Sequence, residues 1–387
     1  MGAPRSFRIY SPFFPAPPVG GSEHVIYEQA RYFVSLGSAL ELVCWKSPAV
    51  EHHVGSWNRV TIRSVPAPAD RRLLRLGRAI VKGLASPELY YYPPMTLPSF
   101  GEVDLGIYHY SFAYPWLLQS RQRERRRVVM FHNLESDLFE QRARSGNLAA
   151  RWIHERNTRI LRQHESHIAG LVDELWFISP ADLDTYRARN PRAINLRLTP
   201  PIFPPELRRM RGRVTQGRTV AKVLGFAGAL DFGPNQDSVR WMMRELCPRL
   251  LRAGFTGELR IAGRGAPAWL ARESAAFPFV KILGFVSDME GFFSDLTAVL
   301  SPHVSGSGVR LKLLEAVASG IPVLTHPEAL GQLAPELRVG SAIFASVSAD
   351  EWVARLQSEE AFAWRRSLGS REMEPALRGD SVYGFLS

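Results

Sequence analysis

Short hydrophobic runs alternate with segments of helical periodicity along the first half of the chain. Ser22–Leu36 carries apolar residues at helical spacing, with Ser22 as a predicted cap and Gly37 as the stop. Ser179 and Pro180 have the pattern of a cap followed by the first turn of another helix. Five apolar runs around these helices predict buried strands: Phe7–Ser11, Leu40–Cys44, Asp104–Tyr108, Val128–Phe131 and Glu174–Ile178.

The alternation starts afresh in the second half of the chain. Helical patterns there include Ser238–Leu251 and Val309–Ser319. Because parallel strands need crossover helices that cover both faces of the sheet, two such repeats predict two doubly wound α/β domains. The predicted strands of the second repeat are Lys222–Ala227, Glu258–Ala262, Val280–Leu283, Ala298–Ser301, Pro322–Thr325 and Ala342–Phe344.

A segment rich in proline and arginine separates the two repeats. Thr199–Arg218 contains four prolines and five arginines and has no clear period, so we predict that it is the linker. The expected organisation is one Rossmann-like domain over 1–198 and a second over 219–350. A helical tail over 351–387 would follow and could pack back on the first domain. A length of 387 residues agrees with two domains.

Composition indicates the class of protein and its expected location in the cell. The chain is 45% hydrophobic and 22% charged, as folded globular proteins are. No run approaches 18 apolar residues, and the first residues lack the apolar core of a signal peptide. The only two cysteines, Cys44 and Cys247, exclude a disulfide framework and a cysteine-based zinc site. These features predict a cytoplasmic protein.

The net charge of +11 is concentrated in the first half of the chain. Lys and Arg outnumber Asp and Glu by 26 to 18 in residues 1–198 and by five to one in 199–218, whereas 219–387 contain 17 against 18. A basic half beside a neutral half predicts an anionic partner for the first domain, such as a membrane surface, a lipid phosphate, an acidic glycan or a nucleic acid.

Two basic segments in this half differ in pattern. Asp70–Leu84 has one basic stripe opposite leucines and isoleucine, which is typical of a helix lying on an anionic membrane. A solvated helix with an ordinary core face explains the same pattern. The run Arg121–Arg127 predicts a solvated loop before a strand. Aromatic residues are not interleaved with these charges, which disfavours nucleic-acid binding. The residues of the stripe are Arg71, Arg75, Arg78 and Lys82.

The segment Ser301–Gly320 has the composition of an anion-binding loop. Gly306 and Gly308 permit close backbone approach, and Ser305 and Ser307 can donate hydroxyl hydrogen bonds. The segment follows a predicted strand of an open parallel sheet, where ligands bind. It is no Walker P-loop, because no Gly-Lys-Ser/Thr ends it.

Charged residues continue this pattern into the predicted helix. Arg310 and Lys312 lie at the helix start, where the helix macrodipole disfavours cations unless an anion is bound. Glu315 follows at a spacing of three from Lys312 and could accept hydrogen bonds from ribose hydroxyls. We therefore predict a diphosphate site with a neighbouring ribose. A glycine-rich turn before an ordinary surface helix remains the alternative.

Several segments in order resemble a known family. FAGALDFGPNQDSVRWM, LRIAGRG, GFVSDMEGFF and LSPHVSGSGVRLKLLEAVASGIPVL resemble the donor half of the glycosyl transferases group 1, the retaining mannosyl- and glucosyltransferases of bacterial surface polysaccharides. PPVGGSEHVIYEQARYFVSLG resembles the first loop and helix of that family, so the resemblance covers nearly the whole chain. It implies a GT-B fold, with an acceptor-side domain and a donor-nucleotide domain facing a central cleft. It also implies a nucleotide diphospho sugar as donor, with no metal or other cofactor.

The resemblance also implies roles for single residues. Gly20 and Gly21 would approach the donor phosphates, and Glu315 would bind the ribose. Either His109 or His132, each at the end of a predicted strand, would match the family histidine near the transferred sugar. Backbone contacts to the base would come from the pairs Gly263 and Arg264, and Phe285 and Val286.

Two departures from the family pattern bear on catalysis. The first of two family glutamates is replaced by Ser307, and the family's Arg and Lys would fall near Ala229 and Asn235, where both charges are missing. Arg310 and Lys312 offer a compensation, as in a branch with a Ser-Gly-Ser-Gly loop and an Arg-x-Lys pair. We expect these two cations to stabilise the leaving diphosphate.

The expected activity is transfer of a hexose to a lipid-linked or polysaccharide acceptor at the inner face of the membrane, with retention of configuration. One alternative is a non-catalytic GT-B scaffold that binds a nucleotide or glycan, as the missing charges allow. A weaker alternative is an epimerase that acts on the nucleotide sugar itself.

Overall fold

The computed structural model describes residues 6–16, 18, 21–45, 60–65, 79, 83–92, 97–98, 100–119, 123–145, 147–203, 222–302, 311–333, 335–338, 343–358 and 382–386. These residues form two compact units, each built around one parallel sheet. The first unit contains the described residues up to Ile202 together with Val382–Leu386, and the second contains the rest.

The sheet of the first unit has seven strands in the order β3-β2-β1-β4-β5-β6-β7, and all neighbours are parallel. Its central strands are apolar on both faces because helices cover both sides, as in Rossmann-like domains. The strands are β1 Ser6–Tyr10, β2 Ala39–Trp45, β3 Val60–Val65, β4 Val103–His109, β5 Glu124–Phe131, β6 Glu174–Phe177 and β7 Leu196–Leu198.

The helices of the first unit begin and end where local chemistry requires it. The Ser179 hydroxyl accepts a hydrogen bond from the Asp182 N–H and caps a helix that starts at Pro180, as predicted. Gly37 follows the first helix with a φ of +76°, a conformation that favours glycine. The helices are α1 Gly21–Ser35, α2 Ser86–Tyr91, α3 Tyr114–Gln119, α4 Glu135–Ser145, α5 Leu148–Ile168 and α6 Pro180–Arg189, with a 3-10 turn at Ser111–Ala113.

The second unit repeats this architecture with six strands in the order β10-β9-β8-β11-β12-β13, again all parallel. The strands are β8 Val223–Ala227, β9 Glu258–Ala262, β10 Val280–Gly284, β11 Ala298–Ser301, β12 Val323–Thr325 and β13 Ile343–Ala345. The helices are α7 Gly233–Trp241, α8 Cys247–Arg252, α9 Ala268–Ser274, α10 Met289–Ser294, α11 Leu311–Ala318, α12 Pro335–Arg338 and α13 Ala349–Gln357, with a 3-10 turn at Pro327–Gln332.

All eleven predicted strands are present, but two more lie at the edges of the first sheet. Most residues of the edge strands β3 and β7 are exposed or half-buried, so these strands lack the apolar run that marks a central strand. The prediction of a solvated loop over Arg121–Arg127 was wrong for its last residues. Strand β5 begins at Glu124, and Arg126 and Arg127 pair with Glu174 and Glu124.

Two helix predictions also need correction. Helix α1 begins at Gly21, so Ser22 lies inside the helix and is not its cap. The helix predicted over Ser238–Leu251 begins at Gly233 and contains a π turn at Met242–Leu246. Pro248, which has no N–H to donate, follows this turn, and widening the helix accommodates the missing hydrogen bond.

The predicted C-terminal tail, 351–387, is described near its two ends, and these ends pack on different units. Trp352 of α13 is fully buried in the core of the second unit. Tyr383 belongs to the first unit, where its ring packs against Tyr32, Phe33 and Trp176. Among the residues that the structure describes, no helix is both long and apolar enough to cross a bilayer. The cations of the predicted membrane helix, Arg71, Arg75, Arg78 and Lys82, lie outside the described residues.

Candidate functional site

Lys312 lies in the first turn of α11, which follows β11 at the carboxyl edge of the second sheet. Its ammonium Nζ donates to Asn235 Oδ1 at 2.8 Å and lies 4.0 Å from the centroid of the Phe226 ring. Phe226 belongs to β8 and Asn235 to the start of α7. The ammonium therefore lies where the strand order reverses, beside β8 and β11, which is where open parallel sheets bind ligands.

The Asn235 side chain is held in one orientation. Its Nδ2 donates to the Ala229 carbonyl at 2.9 Å, so Oδ1 faces the Lys312 ammonium. The neighbouring Gln236 Nε2 donates to the Leu230 carbonyl, also at 2.9 Å. These two bonds tie the loop after β8 to the N-terminus of α7. A cation and a helix N-terminus then lie side by side, which favours an anionic ligand.

Glycines let the loops after β8 and β9 approach each other. Gly263 has a φ of +154°, and a Cβ there would lie 1.9 Å from the Gly228 carbonyl oxygen. Gly265 has a φ of +71°, and a Cβ there would lie 2.7 Å from the Asp231 Cβ. The Gly263 N–H donates to the Gly284 carbonyl at 2.7 Å, which joins the end of β9 to that of β10. No larger residue fits at Gly263 without moving the backbone.

Arg264 and Phe285 extend this edge with exposed side chains. Phe285, directly after β10, is 65% exposed, an unusual state for a ring that large. Arg264 is more than half exposed, and its Nε lies 3.8 Å from Asp231 Oδ2. Val286 is half-buried beside Phe285. An exposed aromatic ring and a guanidinium are both planar surfaces on which a nucleotide base can stack.

Of the remaining predicted site residues, the structure describes Glu315 and Gly21 but not the loop before α11. Glu315 is half-buried on α11, three residues beyond Lys312, as the helical spacing requires. The predicted phosphate-binding residues of the loop lie outside the described residues: Ser305, Gly306, Ser307, Gly308 and Arg310. Gly20 is outside them as well, whereas Gly21 is the exposed first residue of α1 in the first unit.

In the first unit the two predicted histidines contact each other. His109 ends β4 and His132 follows β5, and since these strands are neighbours, His109 Nδ1 lies 2.8 Å from His132 Nε2. His109 Nε2 lies 3.0 Å from Gln29 Oε1 of α1. Both imidazoles are buried, and His132 Nδ1 has no hydrogen-bond partner among the described residues. Burial lowers the pKa of His132 to about 3 and that of His109 well below its usual range.

Tyr110 holds the plane of the His132 ring. The two rings stack at a centroid distance of 4.2 Å, and the Tyr110 N–H donates to the Met130 carbonyl at 2.8 Å. Tyr110 has a φ of +70°, a conformation that costs a residue with a Cβ roughly 1–2 kcal/mol. Strain of this kind is retained where the surrounding structure enforces it, often at functional sites.

Two buried carboxyl groups of the first unit lie on α4 and α5. Glu135 and Glu165 are 3% exposed, and burial raises the pKa of Glu135 to about 8 and that of Glu165 to about 7. Glu165 accepts hydrogen bonds from the Ser136 N–H at 3.1 Å and from the Ser136 hydroxyl at 2.6 Å. Glu165 therefore fixes the first turn of α4, which carries Glu135.

Sequence reasoning missed Gln29 and Tyr110, which orient the predicted histidines, and the buried Glu135; it named Asn235 only as a position where a family charge is missing. Gln29 lies on the buried face of a recognisable helix, and buried glutamine is uncommon, so a signal existed there. For Tyr110 and Glu135, no pattern in the sequence indicates that the side chain is buried, and only the fold shows it. No group of three or more His, Cys, Asp or Glu side chains is placed to hold a metal ion in the part of the chain that the structure describes.

Part of the second unit matches a known protein family. Residues 221–358 match the family described as glycosyl transferases group 1. No curated protein sequence matches the chain significantly.

Solved structures resemble the chain over its whole length. Sucrose-phosphate synthase from Thermosynechococcus elongatus has a TM-score of 0.62 at 17% identity, over 96% of this chain and 93% of that one. HepE from Anabaena, solved with UDP-glucose, has a TM-score of 0.63 at 13% identity over 98% of each chain. A TarM variant from S. aureus, solved with fondaparinux, α-GlcNAc-glycerol and UDP, has a TM-score of 0.64 at 8% identity over 99% and 98%.

Fold and family agree on one class. Two Rossmann-like domains with parallel sheets of seven and six strands form the GT-B fold, as expected from the sequence. Residues 221–358, which lie in the second of them, match the glycosyl transferases group 1 family.

Proposed function

We propose that this protein is a metal-independent hexosyltransferase that uses a nucleotide diphospho sugar as donor. The observation that carries the proposal is the Lys312 ammonium, held against Asn235 at the carboxyl edge of β8 and β11. The family that the chain resembles has a cation near position 235. In this chain the Lys312 ammonium of α11 lies beside Asn235 instead.

Loss of the diphosphate requires stabilisation of negative charge as the bond between sugar and oxygen breaks. Lys312 supplies a fixed positive charge, and Arg310 adds a second in our proposal. The N-terminus of α7 contributes N–H groups. Preorganised groups of this kind act without reorganising during the reaction. Gly263, Arg264, Phe285 and Val286 are proposed to contact the base, and Glu315 the ribose.

The first domain is proposed to hold the transferred sugar and the acceptor. His132, stacked on Tyr110, offers a buried nitrogen that no described residue contacts by a hydrogen bond, which suits contact with a sugar hydroxyl. The UDP-glucose bound by HepE and the glycan-like ligands of TarM support a hexose donor and a glycan acceptor. Retention of configuration, a lipid-linked or polysaccharide acceptor, and a cytoplasmic location on the inner face of the membrane belong to the same proposal.

The test compares Lys312→Ala with Lys281→Ala, an exposed lysine of β10 in the same domain. Donor turnover, measured as release of free sugar or transfer to an acceptor from a panel of nucleotide sugars, should fall on the order of a hundredfold in Lys312→Ala. Lys281→Ala should retain wild-type turnover. Equal turnover in both variants would remove Lys312 from the mechanism.

The same assay separates the alternatives. A scaffold would bind nucleotide but release no sugar, and an epimerase would convert the donor into a second nucleotide sugar without an acceptor. Addition of EDTA should leave the rate unchanged. Complete inhibition by EDTA would contradict metal independence.

A further inference from the structure

A chain of hydrogen bonds connects the C-terminal turn to His132. Gln29 Nε2 donates to the Tyr383 hydroxyl at 2.8 Å and to Met130 Sδ at 3.3 Å, while Gln29 Oε1 lies 3.0 Å from His109 Nε2. His109 then contacts His132 through the 2.8 Å bond described above. Each of the polar side chains is at most 2% exposed, so solvent does not exchange with these bonds.

The orientation of the Gln29 amide follows from Met130. A thioether sulfur can only accept a hydrogen bond, whereas the tyrosine hydroxyl can donate or accept. The amide NH₂ must therefore face Met130, and the amide oxygen must face His109. The opposite orientation would place the amide oxygen against the sulfur, with two acceptors in contact.

The proton positions on both histidines follow from this orientation. Gln29 Oε1 accepts, so His109 Nε2 carries a proton. A neutral imidazole has one N–H, so His109 Nδ1 is an acceptor and must receive the N–H of His132 Nε2. His132 Nδ1 is then left with a lone pair, and this is the buried atom that has no hydrogen-bond partner in the described part of the chain. Because burial lowers the pKa of both histidines, they stay neutral at physiological pH.

We propose that Gln29 is a positioning residue: through His109 it fixes the tautomer of His132, whose Nδ1 then accepts a hydrogen bond from a hydroxyl of the transferred sugar. This inference rests on the function proposed above. A buried acceptor without a partner is costly in the free protein, and a sugar hydroxyl removes that cost. The site thereby selects a ligand that donates a hydrogen bond at this point.

The first experiment measures the tautomers directly in the free wild-type protein. With ¹⁵N-labelled histidine, NMR distinguishes protonated from unprotonated ring nitrogens, and His109→Gln and His132→Gln assign the signals. We expect protonated Nε2 in both residues and an unprotonated Nδ1 in His132. A protonated Nδ1 in His132 overturns the proposal, whether or not the protein transfers sugar.

The second experiment removes the orienting amide. In Gln29→Met we expect a mixture of His132 tautomers and a fall in kcat/KM in proportion to the fraction of His132 that keeps an unprotonated Nδ1, about twofold for an equal mixture. Gln163→Met is the matched control, because Gln163 is an exposed glutamine on α5. It should change neither the His132 tautomers nor kcat/KM. Unchanged His132 tautomers in Gln29→Met would show that Gln29 does not set them.

Tyr383→Phe is a milder variant that still tests the hydrogen-bond chain if Gln29→Met does not fold. It removes only the hydroxyl that accepts from Gln29, and the ring can keep its contacts with Tyr32, Phe33 and Trp176. Because Met130 still accepts from Gln29 Nε2, we expect the wild-type tautomer of His132 in this variant; a protonated Nδ1 in His132 would show that Met130 does not orient the amide. If Gln29→Met does not fold, the wild-type spectrum and this variant still decide the proposal.

Discussion

The carboxyl groups of Glu135, Glu165 and Asp182 interact with one another within the first domain; Glu135 and Glu165 are buried, and Asp182 is half-buried. Burial raises the pKa of Asp182 to about 7 and that of Glu135 to about 8. At the residue scale, Glu135 is therefore mostly protonated near neutral pH, Asp182 is protonated in part, and the protonated carboxyl groups can donate hydrogen bonds. The same side chains at the surface would be ionised, so burial decides their chemistry.

Replacing Glu135 with Gln should change the pH dependence of stability. The pKa of Glu135 is raised in the folded state, so the folded protein holds a proton that the unfolded chain has lost between about pH 4.5 and 8. The contribution of Glu135 to stability is present below this window and is lost as the pH rises through it. Relative to Glu135→Gln, the wild type should lose about 1.4 kcal/mol per pH unit. Urea unfolding across this range measures the difference.

Glu155→Gln provides the control for this measurement. Glu155 lies on α5 with about half of its side chain exposed, in an ion pair with Arg151. Its contribution to stability should be small at every pH, as is usual for surface ion pairs. A difference between Glu135→Gln and wild type that does not vary with pH would show that Glu135 is ionised in the folded state.

At the scale of elements, the loops at the carboxyl ends of β8, β9 and β10 act as one unit. Backbone hydrogen bonds join them: Gly228 N donates to Ala262 O, Leu230 N to Arg264 O, and Gly263 N to Gly284 O. Glycines permit these short approaches because no Cβ intervenes. The loop geometry that we propose for base and phosphate binding therefore depends on backbone packing between strands.

Two glycines of these loops make a matched pair of variants. Gly263→Ala places a Cβ 1.9 Å from the Gly228 carbonyl oxygen, whereas Gly284→Ala meets no atom within 4 Å and is strained only by its φ of +69°. We expect Gly284→Ala to cost roughly 1–2 kcal/mol of stability. Gly263→Ala should cost more and should also raise KM for the donor. Denaturant unfolding and donor kinetics measure both effects.

One result for these two glycine variants would contradict the expectation. If Gly263→Ala and Gly284→Ala lose the same stability and keep the same KM, the close approach of the two loops does not shape the donor site. Backbone strain alone would then explain both variants.

At the scale of the whole molecule, the chain is two doubly wound domains with separate cores. The core of the second domain includes Trp352 of the last described helix of that domain, and the first domain includes the C-terminal Tyr383. The part of the chain between these two residues thus connects the domains a second time. Each domain contributes its own candidate residues at the carboxyl edge of its sheet.

A nucleotide diphosphate should stabilise the protein against heat. A ligand at a hundred times its dissociation constant adds about 2.7 kcal/mol to the stability of the folded state. We expect one nucleotide diphosphate in a panel to raise the melting temperature of the wild type and to have little effect on Lys312→Ala. Equal shifts in both proteins would place the nucleotide away from Lys312.

Much of the architecture could be predicted from local pattern. The eleven predicted strands are apolar because helices cover both faces of each sheet, and that burial leaves a direct trace in the sequence. Strands β3 and β7 left no such trace, since edge strands are partly exposed. The start of α7 was missed because Gly233, Pro234 and Asn235 are typical of turns rather than helix interiors.

For the candidate site, the sequence by itself determined which elements end near one another and which residue types lie there. His109, His132 and Lys312 follow from strand ends and motif spacing, because parallel strands bring their carboxyl ends to one edge. Tertiary structure alone decided that the two histidines share a hydrogen bond, that Gln29 orients them, and that the Lys312 ammonium reaches Asn235. Those contacts join residues 23 to 101 positions apart, and only packing of the folded chain brings such distant side chains within bonding distance.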